Sequence, residues 1–352
     1  MNSRERFLIA LKGGKPDRVP VLDFLGGIKI FRKVLGKDID KPTVDDMVDC
    51  AEKIGFDAVI IEDGGFWNVE DSVIGNTYKD EWGVTYKNIG YSWPFDGPSD
   101  YPVKNQEGLD IWIRNKPDPY LPARIDGLKR ALEISKGEFT IIGEVAGPLT
   151  IATLVLGFDG LLIRLVKEPD FIEEIFKTAY DFYNVAIDRI CEARVDAIMV
   201  AEDLGFNTAL FASPQIYRKH LFPYLFSMFD RINKKDMPII LHSDGNLNEI
   251  LDDIVGAGIA GLNPVEKKAN MDIGKIRKRY GNRLCLIGNI DSSGVLVNGP
   301  VSKIISDVKQ AIETAGKDGA YVLGGDGGYH DGIPTENYIA MIRAAKEFGK
   351  YY

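Results

Sequence analysis

Histidine and cysteine are scarce in this chain. Its 352 residues include three of each. Cys50, Cys191 and Cys285 lie far apart and form no CxxC pair. That spacing excludes a disulfide scaffold or a zinc-ribbon site and suits a reducing cytoplasm. A basic surplus is also missing. The 43 Lys and Arg residues stand against 52 Asp and Glu, a net charge of −9. No positive excess is available to neutralise nucleic-acid phosphates or to hold an anionic membrane. No apolar run of about 18 residues stands out, so no membrane-crossing helix is expected. The segment Met1-Asn-Ser-Arg-Glu-Arg6 is charged and lacks an apolar signal core, so a cytoplasmic location is expected. A GxGxxG fingerprint is absent, which removes support for a dinucleotide-binding sheet.

What remains is a chain built for a core. Hydrophobic residues make up 45% and charged residues 27%. The length suits one (β/α)8 barrel with insertions. Short apolar runs at 19–24, 57–61, 139–145, 196–200, 238–241, 260–265, 284–287 and 320–323 read as eight strands, with helical segments between nearly all of them. That alternation calls for parallel strands joined by crossovers. Thr43 is placed to cap a helix over 43–54, and Ser213-Pro214 to start one running to about 232. The expected fold is an α/β TIM barrel, one domain over 1–352.

Residues 64–125 break the rhythm. They carry Phe66, Trp67, Tyr78, Trp82, Tyr86, Tyr91, Trp93, Phe95 and Tyr101 among many prolines. This stretch reads as an aromatic-rich insertion after the second strand, over one end of the barrel. Most of its aromatics are expected to form a small core of their own, and a minority could line an apolar substrate pocket.

In such a barrel the active site forms at the C-terminal ends of the strands. Here those ends carry Asp23, Glu62, Asp63, Glu144, Glu202, Asp203, His242, Asp244, Glu266, Asp291 and Asp326. Some of these acids are helix N-caps. The rest call for a cation or for protons to exchange. Residues i and i+2 of a strand project to one side, so His242 and Asp244 can converge. The competing reading makes His242 a hydrogen-bonded core residue and Asp244 a cap where the next helix begins. Asn246 is placed to cap a helix over 247–254. Histidine among carboxylates suits a divalent metal such as Zn2+. His330, four residues after Asp326, is a second ligand or acid, and His220 is structural.

The segments Pro16-Asp-Arg-Val-Pro20, Asp80-Glu-Trp-Gly83, Glu202-Asp-Leu-Gly205, Leu241-His-Ser-Asp-Gly-Asn246, Leu262-Asn-Pro-Val265, Gly288-Asn-Ile-Asp291 and Pro334-Thr-Glu-Asn337 occur in this order along the chain. With them the sequence resembles the uroporphyrinogen decarboxylase superfamily, in its corrinoid-dependent methyltransferase branch. The resemblance implies methyl transfer between a small substrate and the cobalamin of a corrinoid protein. The coenzyme M branch holds zinc with a His-x-Cys pair and a later Cys. Here Asp244 stands in place of that first Cys, and the last loop offers Asp326 and His330.

The expected metal ligands are therefore His242, Asp244 and Asp326, with His242, Glu202, Asp203 and His330 as catalytic residues. The expected reaction is O-demethylation of a methoxylated aromatic, with a corrinoid protein and a second copy of the chain, in a homodimer, as candidate partners. The alternatives are a coenzyme M, methylamine or methylthiol methyltransferase, or a uroporphyrinogen decarboxylase. The last is disfavoured because 24–28, Phe24-Leu-Gly-Gly-Ile28, has none of the arginines that a tetracarboxylate substrate would need.

Overall fold

The computed structural model describes residues 1–64, 75–87 and 97–351. Seven strands form one parallel sheet in the order β1 (Ala58–Glu62), β5 (Thr140–Ala146), β6 (Ala197–Ala201), β7 (Ile239–His242), β8 (Gly261–Asn263), β9 (Cys285–Ile290) and β10 (Tyr321–Gly325). Three short strands, β2 (Thr77–Lys79), β3 (Thr85–Lys87) and β4 (Pro98–Asp100), make a separate antiparallel sheet. The architecture is α/β and TIM-barrel-like.

Alternate residues along the parallel strands enter two different cores. Ala58, Ile60, Ile142, Ala197, Met199, Ile240, Cys285, Ile287 and Val322 fill the inside of the sheet. Their neighbours, such as Val59, Ile141, Ile198, Ile239 and Leu286, pack beneath the helices. Both faces are buried, which is why these strands read as unbroken apolar runs. Phe7, Ala10 and Leu11 of the helix Ser3–Leu11 plug the interior cluster. That helix is fastened at the N-terminal strand ends by Arg4 to Asp196 (2.7 Å) and Arg6 to Asp57 (2.7 Å). The opposite, C-terminal ends are left to form the mouth.

The expected first strand at 19–24 is not a regular strand. It runs extended beside β10, with Leu22 N–H donating to Leu323 O (3.1 Å) and Leu323 N–H to Pro20 O (2.9 Å). On its other side Asp57 N–H donates to Val21 O (2.8 Å). A ladder fails here for two local reasons. Pro20 has no N–H to give, and the N–H of Val21 goes to the Asp57 carboxylate (2.9 Å) rather than to a backbone carbonyl.

Two helices also differ from the sequence reading. The helix Pro148–Lys167, which the sequence reading did not single out, is apolar and long enough, by length and composition alone, to cross a membrane. Half of it is buried in this fold, and Gly157 (φ +71°) breaks it into two pieces. A Cβ at Gly157 would strike the Tyr101 ring, so the bend requires glycine. The helix from Ser213 is capped as expected but contains a π turn at Tyr217–Leu221, before Phe222–Asn233. Pro223, lacking an N–H, sits at the start of the second piece.

Thr43 caps Val44–Ile54 in a capping box, as the sequence indicates. Within 64–125, Trp82, Tyr86 and Trp112 are buried, and they belong to the main hydrophobic cluster beneath the helices rather than to a core of their own; the Trp82 and Trp112 rings lie 5.6 Å apart. Trp82 packs on Phe182 of the helix Pro169–Ala193, at a ring distance of 4.9 Å. Phe66, Trp67, Tyr91, Trp93 and Phe95 lie outside the described residues.

Candidate active site

β6 and β7 are neighbours, with Ala201 in register with His242. Both strands end in polar residues, and the loops after them are locked together. Ser243 Oγ accepts Leu204 N–H (3.1 Å), and Asp203 Oδ1 accepts Asp244 N–H (2.9 Å). Asn246 N–H donates to Phe206 O (2.8 Å). Gly245 has φ +90°, and a Cβ there would collide with the Gly205 carbonyl. Glycine at 245 therefore lets the two loops close on each other. Asn246 does not cap a helix, because the next one begins at Leu251. Its side chain instead accepts Asn248 N–H (3.1 Å) and shapes a turn.

This locking gathers Asp203, His242 and Asp244. One potential ligand atom from each lies within 4.8 Å of the others, and no other such set occurs among the described residues. His242 Nδ1 is 2.7 Å from Asn263 Oδ1 on β8. An amide oxygen only accepts, so Nδ1 carries the proton and Nε2 is left as the donor atom for a cation. Asp244 Oδ1 is buried without a hydrogen-bond partner. Burial pushes the Asp244 pKa up to about 7, against the pull of His242 and with help from Asp203, Glu266 and Asp326. Burial alone would lower the His242 pKa, but Asp244, Asp203 and the Asn263 hydrogen bond carry it above its ordinary value. An orphaned carboxylate oxygen beside a second carboxylate and an oriented imidazole is the donor set of a divalent-cation site. The residues fit such an ion.

The other expected residues are placed differently. Asp326 stands outside the 4.8 Å set. One of its oxygens accepts Ser292 N–H (2.8 Å), and the other is buried without a partner. Burial pushes its pKa up to about 6. Glu202 is fully buried behind Asp203, and its two oxygens accept Leu149 N–H (2.9 Å) and Thr150 N–H (2.8 Å). Its carboxyl oxygens thereby satisfy free N–H groups in the first turn of the helix Pro148–Lys167. Burial, the largest influence, raises its pKa to about 8. His330 Nδ1 accepts Gly332 N–H (3.1 Å) within the loop after β10. His220 pairs with Glu173 on a neighbouring helix, a structural role as expected.

Further residues complete the mouth: the strand-end acids Glu62, Asp63 and Glu144 expected from the sequence, and Phe24 and Arg124, which the sequence did not single out as site residues. Phe24 meets the His242 ring edge-on at 5.1 Å. Glu62 and Glu144 stand side by side at the ends of β1 and β5, in register. Burial raises both carboxyls; the charges of Glu144 and Asp63 reinforce the rise at Glu62, while His242 partly offsets it at Glu144, which reaches about 7. The next residue, Asp63, is held by buried Arg124 through two 3.1 Å hydrogen bonds, and Arg124 also pairs with Glu81.

The fold and this mouth define a TIM-barrel-like enzyme with its polar cluster at the C-terminal strand ends. The family model for uroporphyrinogen decarboxylase (URO-D) matches residues 99–348, and the chain belongs to that family. A methylcobamide:CoM methyltransferase, MtaA, of Methanosarcina barkeri is 29% identical over 254 residues, covering 71% of this chain and 70% of the relative. A uroporphyrinogen decarboxylase of Anaeromyxobacter dehalogenans is 26% identical over 258 residues, covering 70% of each. A solved structure described as a methyltransferase from Methanosarcina mazei superposes with a TM-score of 0.75 at 25% identity, covering 99% of both chains. The chain fits the corrinoid methyltransferase branch of the family.

Proposed function

We propose that this protein moves a methyl group from a methoxylated aromatic, a phenyl methyl ether, to the cob(I)alamin of a separate corrinoid protein. The observation behind this reading is the donor set at the mouth. Asp203, His242 and Asp244 supply nitrogen and oxygen, while the three cysteines lie in helices or in the interior core. Harder ligands favour a more Lewis-acidic ion than thiolates would. In this reading a single closed (β/α)8 barrel spans 1–352, with 64–125 as an insertion over one end of it.

An aryl oxide is a poor leaving group unless its negative charge is stabilised. When the carbon–oxygen bond breaks, the electron pair stays on the aryl oxygen, which must take a proton to leave as a phenol. His242, Asp203 and Asp244 would hold Zn2+, with Asp326 flanking them. The ion's contribution there is to polarise the ether oxygen. Asn263 orients His242. Glu202 acts as a positioning residue, because it fixes the helix start against which Asp203 N–H rests, 3.3 Å from Thr150 Oγ1. His330, in the last loop, is the proton donor to the departing oxygen.

A second reading, methyl transfer to coenzyme M, is favoured by the printed name of the Methanosarcina barkeri relative. Decarboxylation of uroporphyrinogen is disfavoured because the apolar Phe24, not an arginine, faces His242. Mixing the protein with cob(I)alamin and 2-methoxyphenol should produce the methylcob(III)alamin spectrum, and His242→Ala should abolish it. Methyl transfer from methylcobalamin to coenzyme M, with none from 2-methoxyphenol, would move the assignment to the second reading.

A further inference from the structure

The loop after β6 carries more than Asp203. It turns back on itself through a bridge between Gly205 and Leu210 and a hydrogen bond from Phe206 N–H to Ala209 O (2.7 Å). Phe211 N–H donates to Leu204 O (3.1 Å), and the Tyr217 hydroxyl fastens the same carbonyl at 2.7 Å. The loop is thus held from both sides, and it presents Phe206 and Phe211. The bend at Gly157 brings Phe158 to meet them. The three rings form a closed triangle, with centroid distances of 5.6 Å (Phe158 to Phe206), 5.0 Å (Phe158 to Phe211) and 4.6 Å (Phe206 to Phe211).

This triangle is not a core. Phe158 is 41% exposed and Phe206 44%, and among the described residues they are the only phenylalanines with such exposure. Phenylalanine left in water forgoes the burial that normally stabilises it. The triangle also stands next to the polar cluster. Phe206 is three residues from Asp203, so their Cα atoms lie no more than about 11 Å apart. Asn246, two residues past Asp244, is bonded to the Phe206 carbonyl. A rigid, water-facing aromatic surface beside convergent polar groups is the usual composition of a small-molecule site.

We propose that Phe158, Phe206 and Phe211 form a ring-binding platform that takes the aryl portion of the substrate and selects aromatic over saturated methyl ethers. The proposal rests on the reading of the mouth as a methoxyarene site. The platform orients its ligand edge-to-face or offset, as aromatic rings prefer. It positions the ring while the donor atoms at Asp203, His242 and Asp244 face the ether oxygen.

The test is calorimetric titration of the full chain with 2-methoxyphenol and with methoxycyclohexane. Wild-type protein should bind 2-methoxyphenol more tightly than methoxycyclohexane. Phe206→Leu and Phe158→Leu should each weaken 2-methoxyphenol about 3- to 10-fold, the scale of one aromatic pair. Phe206→Tyr keeps a ring and should retain the affinity. Both positions are exposed, and thermal unfolding should show all three variants folded. Equal affinity in the wild type and both leucine variants overturns the platform, as does failure of the wild type to bind 2-methoxyphenol. Sedimentation showing that the leucine variants split a dimer without changing ligand affinity overturns it in favour of a second copy of this chain. Ring-dependent binding without methyl transfer to cob(I)alamin supports the platform and removes the reaction. Methyl transfer with binding indifferent to these rings does the reverse.

Discussion

His242 and Asn263 are register partners on adjacent strands, and their side chains meet at 2.7 Å between Nδ1 and Oδ1. Strand pairing sets this contact, so the imidazole is oriented by the sheet itself and not by a mobile loop. With Nδ1 engaged, Nε2 is the ring nitrogen left to accept a cation. Asn263→Ala removes the acceptor and leaves the Nδ1 proton unsatisfied. We expect zinc affinity or activity to fall about 10- to 100-fold, as for other residues that orient a ligand. Asn263→Asp, which keeps an acceptor, should recover most of it. Equal zinc affinity in Asn263→Ala and wild type, measured by competition with a chromophoric chelator, would remove the orienting role.

The carboxylates at the mouth divide into two kinds. Asp203 converges with His242 and Asp244, whereas Asp326 spends one oxygen on Ser292 N–H. If the cluster holds zinc as proposed, protein purified with zinc should retain the ion in the wild type and lose it in Asp203→Ala. Asp326→Asn, which can still accept from Ser292, should retain it. Elemental analysis of the purified variants decides the matter. Zinc lost from Asp326→Asn and kept in Asp203→Ala would return Asp326 to the ligand set.

Arg124 is 3% exposed and ties Asp63, next to the carboxyl pair Glu62 and Glu144, to Glu81. It also lies over the Phe182 ring at 4.6 Å. Removing one partner of a buried ion pair leaves charge uncompensated, at a cost of about 3–5 kcal/mol. Arg124→Met should lower the urea midpoint by a corresponding amount, because Asp63 and Glu81 lose their cation. Adding Asp63→Asn should return part of the loss. A double variant no more stable than Arg124→Met would show that Arg124 acts through packing on Phe182.

Some of this was legible in the sequence, and the division follows physical lines. His242 and Asp244 could be placed together because a strand alternates with period two. The strands could be found because burial on both faces leaves apolar runs. Asp203 could be read as acidic but not as a partner of His242, since that depends on β6 lying beside β7. The role of Asn263 depends on register across β7 and β8, which no local pattern encodes. Glu202 reads from the sequence as an active-site acid, yet its oxygens are engaged by Leu149 and Thr150, more than fifty residues away in sequence. The segment at 19–24 has a strand's composition but loses its ladder to Pro20 and to the Asp57 side chain. The helix at Pro148–Lys167 was hidden because Gly157 and Gly160 interrupt its apolar run. The Phe158, Phe206 and Phe211 triangle joins two distant segments and has no sequence signature.

The surroundings of Asp80 carry their own pH dependence. Asp80 accepts Val84 N–H at 2.8 Å and the Tyr86 hydroxyl at 3.0 Å. Burial outweighs these hydrogen bonds and pushes its pKa up to about 6. The unfolded value is about 3.9. Between those values the folded chain holds more proton at Asp80 than the unfolded chain does. Its contribution to stability is therefore fully present below about pH 4 and is lost as pH rises toward 6, on the order of 3 kcal/mol in all. Asp80→Asn cannot ionise, so it should lack this component. The quantity to compare is the difference in urea-unfolding free energy between wild type and Asp80→Asn across that range, because other carboxyls titrate equally in both. The gap should shift in favour of the variant as pH rises. A gap independent of pH would mean that Asp80 titrates alike in the folded and unfolded chains, and that burial in the Tyr86 pocket does not hold its proton.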